Sequence, residues 1–221
     1  MKDIEKIIRE RHSVRSYLDK EIEKDKVKVL NELIDSINKE NDLNIQLILN
    51  DNEVFDKYIL HYGRLKNCKN YLAMIGKKSD LLDEKIGYNG EKIVLKAQSL
   101  GLNTCWVAGT YKKKSVKATI NDDEKLVCVI AIGYGETQGR ERKSKSIDDV
   151  TKSKDYPDWF KKGVEYALLA PTAVNQQRFK FEYLGDNNVR AYSGLGPMTK
   201  IDLGIVKYHF ELGANKEVKW N

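Results

Sequence analysis

The chain has 221 residues, of which 41% are hydrophobic and 33% are charged, and its formal net charge is +6. This length can bury a substantial core in one large domain or two small ones. The apolar runs, such as 126–132, are far too short to cross a bilayer, and residues 1–5 lack the apolar core of a signal peptide. We therefore expect a cytoplasmic protein with no membrane partner.

The excess of basic residues is scattered, because lysines are interleaved with Asp and Glu in every segment. Scattered charge does not form the stripe typical of nucleic-acid binding, so we expect no nucleic-acid partner, whereas an anionic cofactor needs only a local cluster. Cys68, Cys105 and Cys128 are odd in number and widely spaced, which fits neither a disulfide framework nor a zinc site. The three histidines are also isolated, so we expect reduced thiols and no metal.

The first part of the chain alternates helical and strand-like patterns. Helices are predicted where apolar residues recur at three- and four-residue steps: after Asp3, from Asp25 to 41–42, over 54–60, and from Asn89 to Leu100, with Gly101 as a left-handed cap. Strands are predicted for the short apolar runs 45–49, 71–75 and 126–132. The polar, basic segment 136–155 is predicted to cross over between a first half, 1–150, and a second half, 151–221, within one compact unit.

The second half begins with a predicted helix at 156–158 that ends near Pro171, because proline disfavours helical geometry in the residue before it. Alternation at 179–183 predicts a half-buried strand that pairs with 189–192 across the turn 185–188. The spacing of Thr199 and Asp202 suggests a capping box for a last helix that ends at Gly213, followed by a strand at 218–220. Each half has a helix, a strand and a later helix ending in Leu-Gly, which is a weak internal repeat.

One short segment, 11–17, concentrates donors for an anion. Arg11, Ser13 and Arg15 would point the same way in an extended chain, so all three side chains could contact one phosphate or carboxylate. Arginine matches the geometry of such an anion better than lysine does. The alternative is a solvated basic turn, which is the commoner role of a run of charges.

Four segments of the chain resemble motifs of the FMN-dependent nitroreductase superfamily. They are Arg-His-Ser-Val-Arg-Ser-Tyr at 11–17, Leu-Gly-Leu-Asn-Thr-Cys-Trp-Val-Ala-Gly at 100–109, Ile-Gly-Tyr-Gly at 132–135 with the basic stretch 140–145, and Ala-Pro-Thr-Ala-Val-Asn-Gln-Gln at 170–177. In the family the second of these is a helix end and the turn after it. The resemblance implies an α+β fold with an antiparallel-rich sheet flanked by helices.

The order of the motifs differs from that of ordinary family members. There an Ala-Pro-Ser segment follows the first motif by a single helix, whereas here Ala170-Pro171-Thr172 opens the second half. In this respect the chain resembles the smaller branch called putative TM nitroreductases, in which one chain holds two half-domains arranged like the family homodimer. This implies a pseudo-dimer with one FMN site per chain, which is a monomer or a weak homodimer.

The resemblance also assigns roles by position. The FMN phosphate and ribityl chain would be held by Arg11, Ser13 and Arg15, with His12 contributing its backbone. Further phosphate partners would be Arg142 and Lys145, with Lys143 left open. The ring edge would lie along Val107, Ala108 and Gly109. The second half would contribute Pro171, Thr172, Ala173 and Asn175, with Gln177 supporting their loop.

Three positions depart from the family pattern. Ala108 offers only backbone where the family often has Glu, and Arg178 and Phe179 replace its Pro and Trp. With FMN bound, the implied function is an oxidoreductase that passes hydride from NAD(P)H to a small nitroaromatic, quinone or similar acceptor. Two alternatives remain open: a non-catalytic flavin- or nucleotide-binding protein of the same fold, and, more weakly, a basic nucleic-acid module. Taken singly, the motifs could also be core packing, a helix stop and a strand-end turn.

Overall fold

The computed structural model describes residues 4–55 and 65–221, which form a mixed α+β fold. The described helices are α1 (Ile4–Glu10), α2 (Lys24–Asn41), α3 (Leu82–Ser99), α4 (Ile147–Val150), α5 (Asp158–Ala167) and α6 (Thr199–Ala214). The described strands are β1 (Gln46–Ile48), β2 (Tyr71–Lys77), β3 (Asn103–Val107), β4 (Glu124–Gly133), β5 (Phe179–Tyr183), β6 (Asn188–Ser193) and β7 (Lys219–Trp220). The helix predicted over 54–60 falls mainly outside the described residues.

The predicted α+β class is confirmed, although the described strands form two sheets and not one. The larger sheet has the order β1-β2-β4-β3, and all its neighbouring strands are antiparallel. In the smaller sheet β5 and β6 form the predicted hairpin, with Phe179 opposite Ser193, while β7 pairs with β6 in parallel. None of the described helices is both long and apolar enough to cross a membrane.

Helices α3 and α6 pack against each other closely enough to require glycine at their contact. A Cβ built on Gly204 would lie 1.9 Å from the carbonyl oxygen of Glu84, and one built on Gly87 would lie 2.1 Å from that of Ile201. The main hydrophobic core contains residues from both predicted halves, including Ile93 of α3 and Phe210 of α6. The close contact therefore brings side chains of the first and second halves into one interior.

Several predicted boundaries of helices and strands are wrong. Helix α3 begins at Leu82, well before Asn89, although Gly101 has the expected left-handed φ of +78°. Helix α6 continues past Gly213, and Asn215 is its left-handed cap. The segment compared with a helix end and turn contains strand β3. The sequence therefore located these elements better than their ends.

The capping box predicted for α6 is also wrong. The carboxylate of Asp202 accepts hydrogen bonds from a different loop, and the Thr199 hydroxyl donates to the carbonyl of Gly196. A capping box is instead formed at α4, where the Ser146 hydroxyl accepts from the Asp149 N–H and the Asp149 carboxylate accepts from the Ser146 N–H. The spacing of the two residues therefore does not predict a capping box by itself, because the hydrogen bonds also depend on the geometry of the helix end.

Candidate functional site

Two adjoining cavities form one cleft lined by both predicted halves of the chain. The smaller has a volume of about 310 Å³ and the larger about 530 Å³, which is the usual range for a cofactor or small-molecule site. Both are lined by Ser13, Arg15, Pro171, Thr172 and Val174. The two cavities therefore adjoin, with these residues at their junction.

The smaller cavity, called here the apolar cavity, is lined mainly by hydrophobic side chains and backbone. Its walls come mainly from the end of β3 and the loop after it, from the loop before α6 and from α6 itself. The lining residues from these parts of the chain are Cys105, Trp106, Val107, Ala108, Gly109, Thr110, Pro197, Met198, Ile201 and Ile205, and Cys128 and Ala173 complete the wall. The exposed side of Gly109 faces open space, since a Cβ there would meet nothing within 4 Å. This half of the cleft suits a flat, weakly polar group.

The larger cavity, called here the basic cavity, is lined by Arg15, Lys66, Arg140 and Arg142. No Asp or Glu is among its described lining residues. Lys66 is partly neutralised by Glu136, whose Oε1 lies 3.1 Å from its Nζ, so the three arginines supply the remaining positive charge. This half of the cleft suits an anion.

Arg142 is held in place by the second half of the chain. Its Nη2 donates a 2.9 Å hydrogen bond to the carbonyl oxygen of Ala170, immediately before Pro171. Burial lowers the pKa of Arg142 to about 10, which still leaves the guanidinium charged at neutral pH. Arg142 therefore joins the basic segment after β4 to the loop that begins at Pro171.

The segment 13–17 is positioned by backbone hydrogen bonds to its neighbours. The N–H of Val14 donates to the carbonyl of Thr104 at 3.0 Å, and the N–H of Tyr17 donates to that of Lys66 at 3.0 Å. Ser13 and Arg15 line both cavities, whereas Val14 and Tyr17 are buried, with Val14 also bordering the basic cavity. The predicted alternation therefore holds only from Ser13 to Arg15, because Ser16 lines the basic cavity and Tyr17 is buried.

Arg11 and His12 are placed differently from the prediction. The N–H of Arg11 donates to the carbonyl of Ile7, so the chain still follows the last turn of α1 there. The Arg11 side chain is only 2% exposed, with Nε 3.9 Å from Oε1 of Glu91, and Nε and Nη2 have no hydrogen-bond partner among the described residues. Neither residue is among the described lining of the two cavities.

A buried polar cluster behind the apolar cavity was not anticipated from the sequence. The indole Nε1 of Trp106 donates to Oε2 of Glu91 at 2.9 Å, and Oε1 of the same carboxylate lies 2.9 Å from Nε2 of His209. Nδ1 of His209 lies 3.2 Å from the carbonyl oxygen of Tyr166. Glu91 and His209 are fully buried and lie 118 positions apart, a distance over which no sequence pattern pairs two residues.

The loop 171–177 is fixed mainly by Gln177, as the resemblance implied. The backbone N–H of Gln177 donates to the Thr172 hydroxyl at 3.1 Å, and its side-chain Nε2 donates to the carbonyl of Lys143 at 3.1 Å. The Asn175 amide donates to the same carbonyl at 2.9 Å. Lys145 donates from Nζ to the carbonyl of Gln177 at 2.8 Å and is not among the described cavity-lining residues.

Val174, at the middle of this loop, is exposed and strained. It has a φ of +46°, which is unfavourable for a β-branched residue, and its side chain is 72% exposed. Arg178, where the family usually has proline, donates from Nη1 to the carbonyl of Leu195 at 2.5 Å. Arg178 therefore ties this loop to the segment that carries Pro197 and Met198 to the apolar cavity.

Asp202 is the one acidic residue among the described lining of the cleft. Its Oδ1 accepts the backbone N–H of Ala173 at 2.9 Å, and its Oδ2 accepts from Nε2 of Gln176 at 2.7 Å. Burial raises the pKa of Asp202 to about 6, and the two hydrogen bonds only partly oppose this. The sequence had assigned this residue to a helix cap and so missed its place in the cleft wall.

Solved structures of other proteins share this fold. A putative nitroreductase from Thermotoga maritima is 26% identical, with a TM-score of 0.63 over 96% of this chain and 83% of its own. A putative NADH dehydrogenase/NAD(P)H nitroreductase from Bacteroides thetaiotaomicron is 20% identical, with a TM-score of 0.54 over 69% of this chain and 98% of its own. A putative NADH oxidase from Clostridium acetobutylicum is 20% identical, with a TM-score of 0.52 over 68% of this chain and 99% of its own.

A comparison with curated proteins gave no match. A family model does match, over residues 3–214, and its description is "Putative TM nitroreductase". This match spans both predicted halves of the chain, including residues 13–16 and 171–175, which line the cleft. The chain therefore belongs to the putative TM nitroreductase family.

Proposed function

We propose that this protein is an FMN-dependent oxidoreductase of the nitroreductase type, which takes reducing equivalents from NAD(P)H and passes them to a small nitroaromatic, quinone or similar acceptor. The observation that carries the proposal is the cleft formed by two adjoining cavities, one basic and one apolar, with five lining residues in common. FMN has a matching division, with a phosphate at one end of a flexible chain and a flat ring system at the other.

The basic cavity fits the phosphate. A phosphate monoester carries a charge of about −1.5 to −2 near pH 7, and arginine binds it with paired N–H donors. Arg15, Arg140 and Arg142 supply this donor set. Arg11, which is buried behind the cleft wall, adds positive potential, and Lys145 contributes through its hydrogen bond to Gln177.

The middle of the cleft fits the ribityl chain. Ser13 and Thr172 line both cavities, and we assign their hydroxyls to the hydroxyls of a chain that passes from one cavity to the other. The Thr172 hydroxyl already accepts from the Gln177 N–H, which leaves its own hydrogen to donate. Pro171 also lines both cavities from the second half of the chain, with Ala173 lining the apolar cavity and Asn175 the basic one. These residues fix the position of the cofactor without any reacting side chain.

The apolar cavity fits the flavin ring. Val107, Ala108 and Gly109 present backbone and small side chains, so a flat ring can approach closely and exclude water. When bound, FMN supplies the hydride transfer, and the protein contributes position and electrostatics. The matching solved structures described as an NAD(P)H nitroreductase and an NADH oxidase support a nicotinamide donor.

We also propose that the two halves, 1–150 and 151–221, reproduce within one chain the subunit arrangement of the family homodimer. Residues of both halves line the cleft, as this arrangement requires. The protein would then bind one FMN per chain and be a monomer or a weak homodimer. We place it in the cytoplasm because the unpaired thiols of Cys68, Cys105 and Cys128 favour a reducing compartment.

The test is the flavin content of the purified protein and its reaction with nicotinamide donors. We expect a yellow protein that releases one FMN per chain and loses its oxidised flavin absorbance on anaerobic addition of NADPH or NADH. Two FMN per chain would contradict the pseudo-dimer. A bound flavin that neither donor bleaches would favour the non-catalytic flavin-binding alternative, and a colourless protein that binds no added FMN would reject the whole proposal.

A further inference from the structure

The apolar cavity contains one carboxyl group, and its surroundings leave that group incompletely satisfied. Asp202 is 4% exposed and lies in a wall otherwise formed by Ile201, Ile205, Pro197 and Met198. A charge in such a wall affects every ligand that enters, because the low local dielectric strengthens its interactions.

The hydrogen bonds that Asp202 accepts occupy about half of its acceptor positions. An ionised carboxylate can accept at roughly four lone-pair positions. The contacts from Ala173 N–H and Gln176 Nε2 occupy one position on each oxygen. The group therefore retains acceptor capacity, and among the described residues that line this cavity only Arg15, at the junction with the basic cavity, carries a positive charge.

We propose that Asp202 makes the apolar cavity select flat rings that carry an N–H donor or a positive charge, such as aromatic amides and cationic heterocycles, and reject rings that carry a carboxylate. This rests on the proposed function only in taking the ring to be a redox partner. An amide N–H would fill a vacant acceptor position of Asp202. A ring carboxylate would bring a second negative charge to a site that already holds one with little solvent.

Arg15 has the opposite effect to Asp202, because its positive charge attracts a ring that carries a carboxylate. The two effects can be separated by experiment. An anionic ring could pair with Arg15, which lines both cavities. With FMN bound, the phosphate would engage Arg15 and the flavin ring would lie along Val107, Ala108 and Gly109. A second ring stacked on the flavin would then meet Asp202 of α6 as the dominant charge. The preference for amide over carboxylate should therefore be stronger in the FMN-loaded protein than in the flavin-free protein.

The experiment compares three ring probes of nearly equal shape: nicotinamide, the 1-methylnicotinamide cation and nicotinate. Their dissociation constants are measured by calorimetry on flavin-free and FMN-loaded protein, for the parent and for Asp202→Asn. Asp148→Asn is the matched control, because it removes the same charge from an exposed position of α4. Asp202→Ser is a second variant, which keeps a hydroxyl acceptor near the Ala173 N–H.

We expect nicotinate to bind the parent at least about tenfold more weakly than nicotinamide, with the 1-methylnicotinamide cation binding most tightly. Asp202→Asn should bring the three affinities within about threefold of one another, while Asp148→Asn should leave the parent's preference intact. The inference is overturned if the parent binds nicotinate as well as nicotinamide, if Asp202→Asn keeps the parent's ratio, or if no probe binds. A different outcome is that the protein does not retain FMN, but the flavin-free protein still prefers nicotinamide to nicotinate and loses this preference in Asp202→Asn. That outcome would contradict only the proposed function.

Discussion

The indole N–H of Trp106 donates a 2.9 Å hydrogen bond to Oε2 of Glu91, which ties the wall of the cleft to a buried carboxylate on α3. The other oxygen of Glu91 contacts His209 of α6 at 2.9 Å and lies 3.9 Å from Nε of Arg11. Residues of β3 and α6, and Arg11 just after α1, thus meet at one carboxylate of α3. The shape of the apolar cavity therefore depends on a polar cluster that no ligand needs to touch.

Glu91→Gln should destabilise the protein by about 3 kcal/mol or more, since removing one partner of a buried ion pair leaves an uncompensated charge. The substitution keeps the size of the side chain, and an amide can still accept from Trp106 and donate to His209. The loss would therefore report the charge of Arg11, which is 2% exposed. Urea unfolding measures the free-energy difference.

Arg11→Met in the Glu91→Gln background is the matched control. If the buried charge is the cause, the double variant should recover most of the lost stability, because two apolar or neutral groups of similar size replace the pair. A loss below about 1 kcal/mol for Glu91→Gln, or no recovery in the double variant, would show that Arg11 does not depend on Glu91.

Arg15→Ala should weaken FMN binding by at least about tenfold and leave stability within about 0.5 kcal/mol of the parent. Arg15 is exposed and lines both cavities, so it contributes donors to the cleft without supporting the core. Fluorescence titration with FMN measures the affinity. Arg9→Ala is the control, because Arg9 is an exposed arginine whose bonds go to Glu5 of the same helix. Equal affinity in Arg15→Ala and the parent would remove the phosphate assignment.

The contrast between Arg11 and Arg15 shows what the sequence could and could not predict. Alternation in an extended segment correctly placed Ser13 and Arg15 on the cleft side and Val14 in the interior. It was wrong for Arg11 because the hydrogen bond from Arg11 to Ile7 keeps that residue in the last turn of α1. Periodicity predicts direction only within one element, and the boundary between elements was not visible in the residues.

Long-range contacts set a different limit. The hairpin of β5 and β6 was predictable because alternation and its turn lie within 15 neighbouring residues, 179–193. The contacts of Asp202 with Ala173 and Gln176 join residues 29 and 26 positions apart, and local spacing suggested a helix cap instead. Tertiary hydrogen bonds of this kind depend on how the elements pack, which no local pattern specifies.

Gly204→Ala should destabilise the protein by about 2 kcal/mol or more, even though alanine favours helices by about 1 kcal/mol over glycine. The added Cβ would lie 1.9 Å from the carbonyl oxygen of Glu84, so α3 and α6 would have to separate. Urea unfolding measures the loss. Gly109→Ala is the control, because a Cβ there meets nothing within 4 Å. A Gly204→Ala variant as stable as Gly109→Ala would contradict the close helix contact.

Asp202→Asn should stabilise the protein at neutral pH and have little effect in acid. Burial raises the pKa of Asp202 to about 6 in the folded state, against 3.8 for an ordinary aspartate. The folded state therefore holds the proton more tightly than the unfolded state, so the contribution of this group to stability falls as pH rises from about 4 to 6. Above that window the ionised carboxylate costs at most about 3 kcal/mol, which the neutral amide would not cost.

The measurement is urea unfolding of the parent and the variant at several values between about pH 4 and pH 7. We expect the variant to gain about 1 to 2 kcal/mol at the upper end and to match the parent at the lower end. The gain is less than the full cost because the amide keeps one acceptor oxygen, while its Nδ2 cannot accept from Nε2 of Gln176. Asp148→Asn should show no such pH dependence, since that side chain is exposed. A variant that is less stable than the parent at neutral pH would mean that the carboxylate supports the loop 171–177 more than its burial costs. That outcome would assign Asp202 a structural role, because a carboxylate that stabilises its own loop needs no ligand to explain its charge.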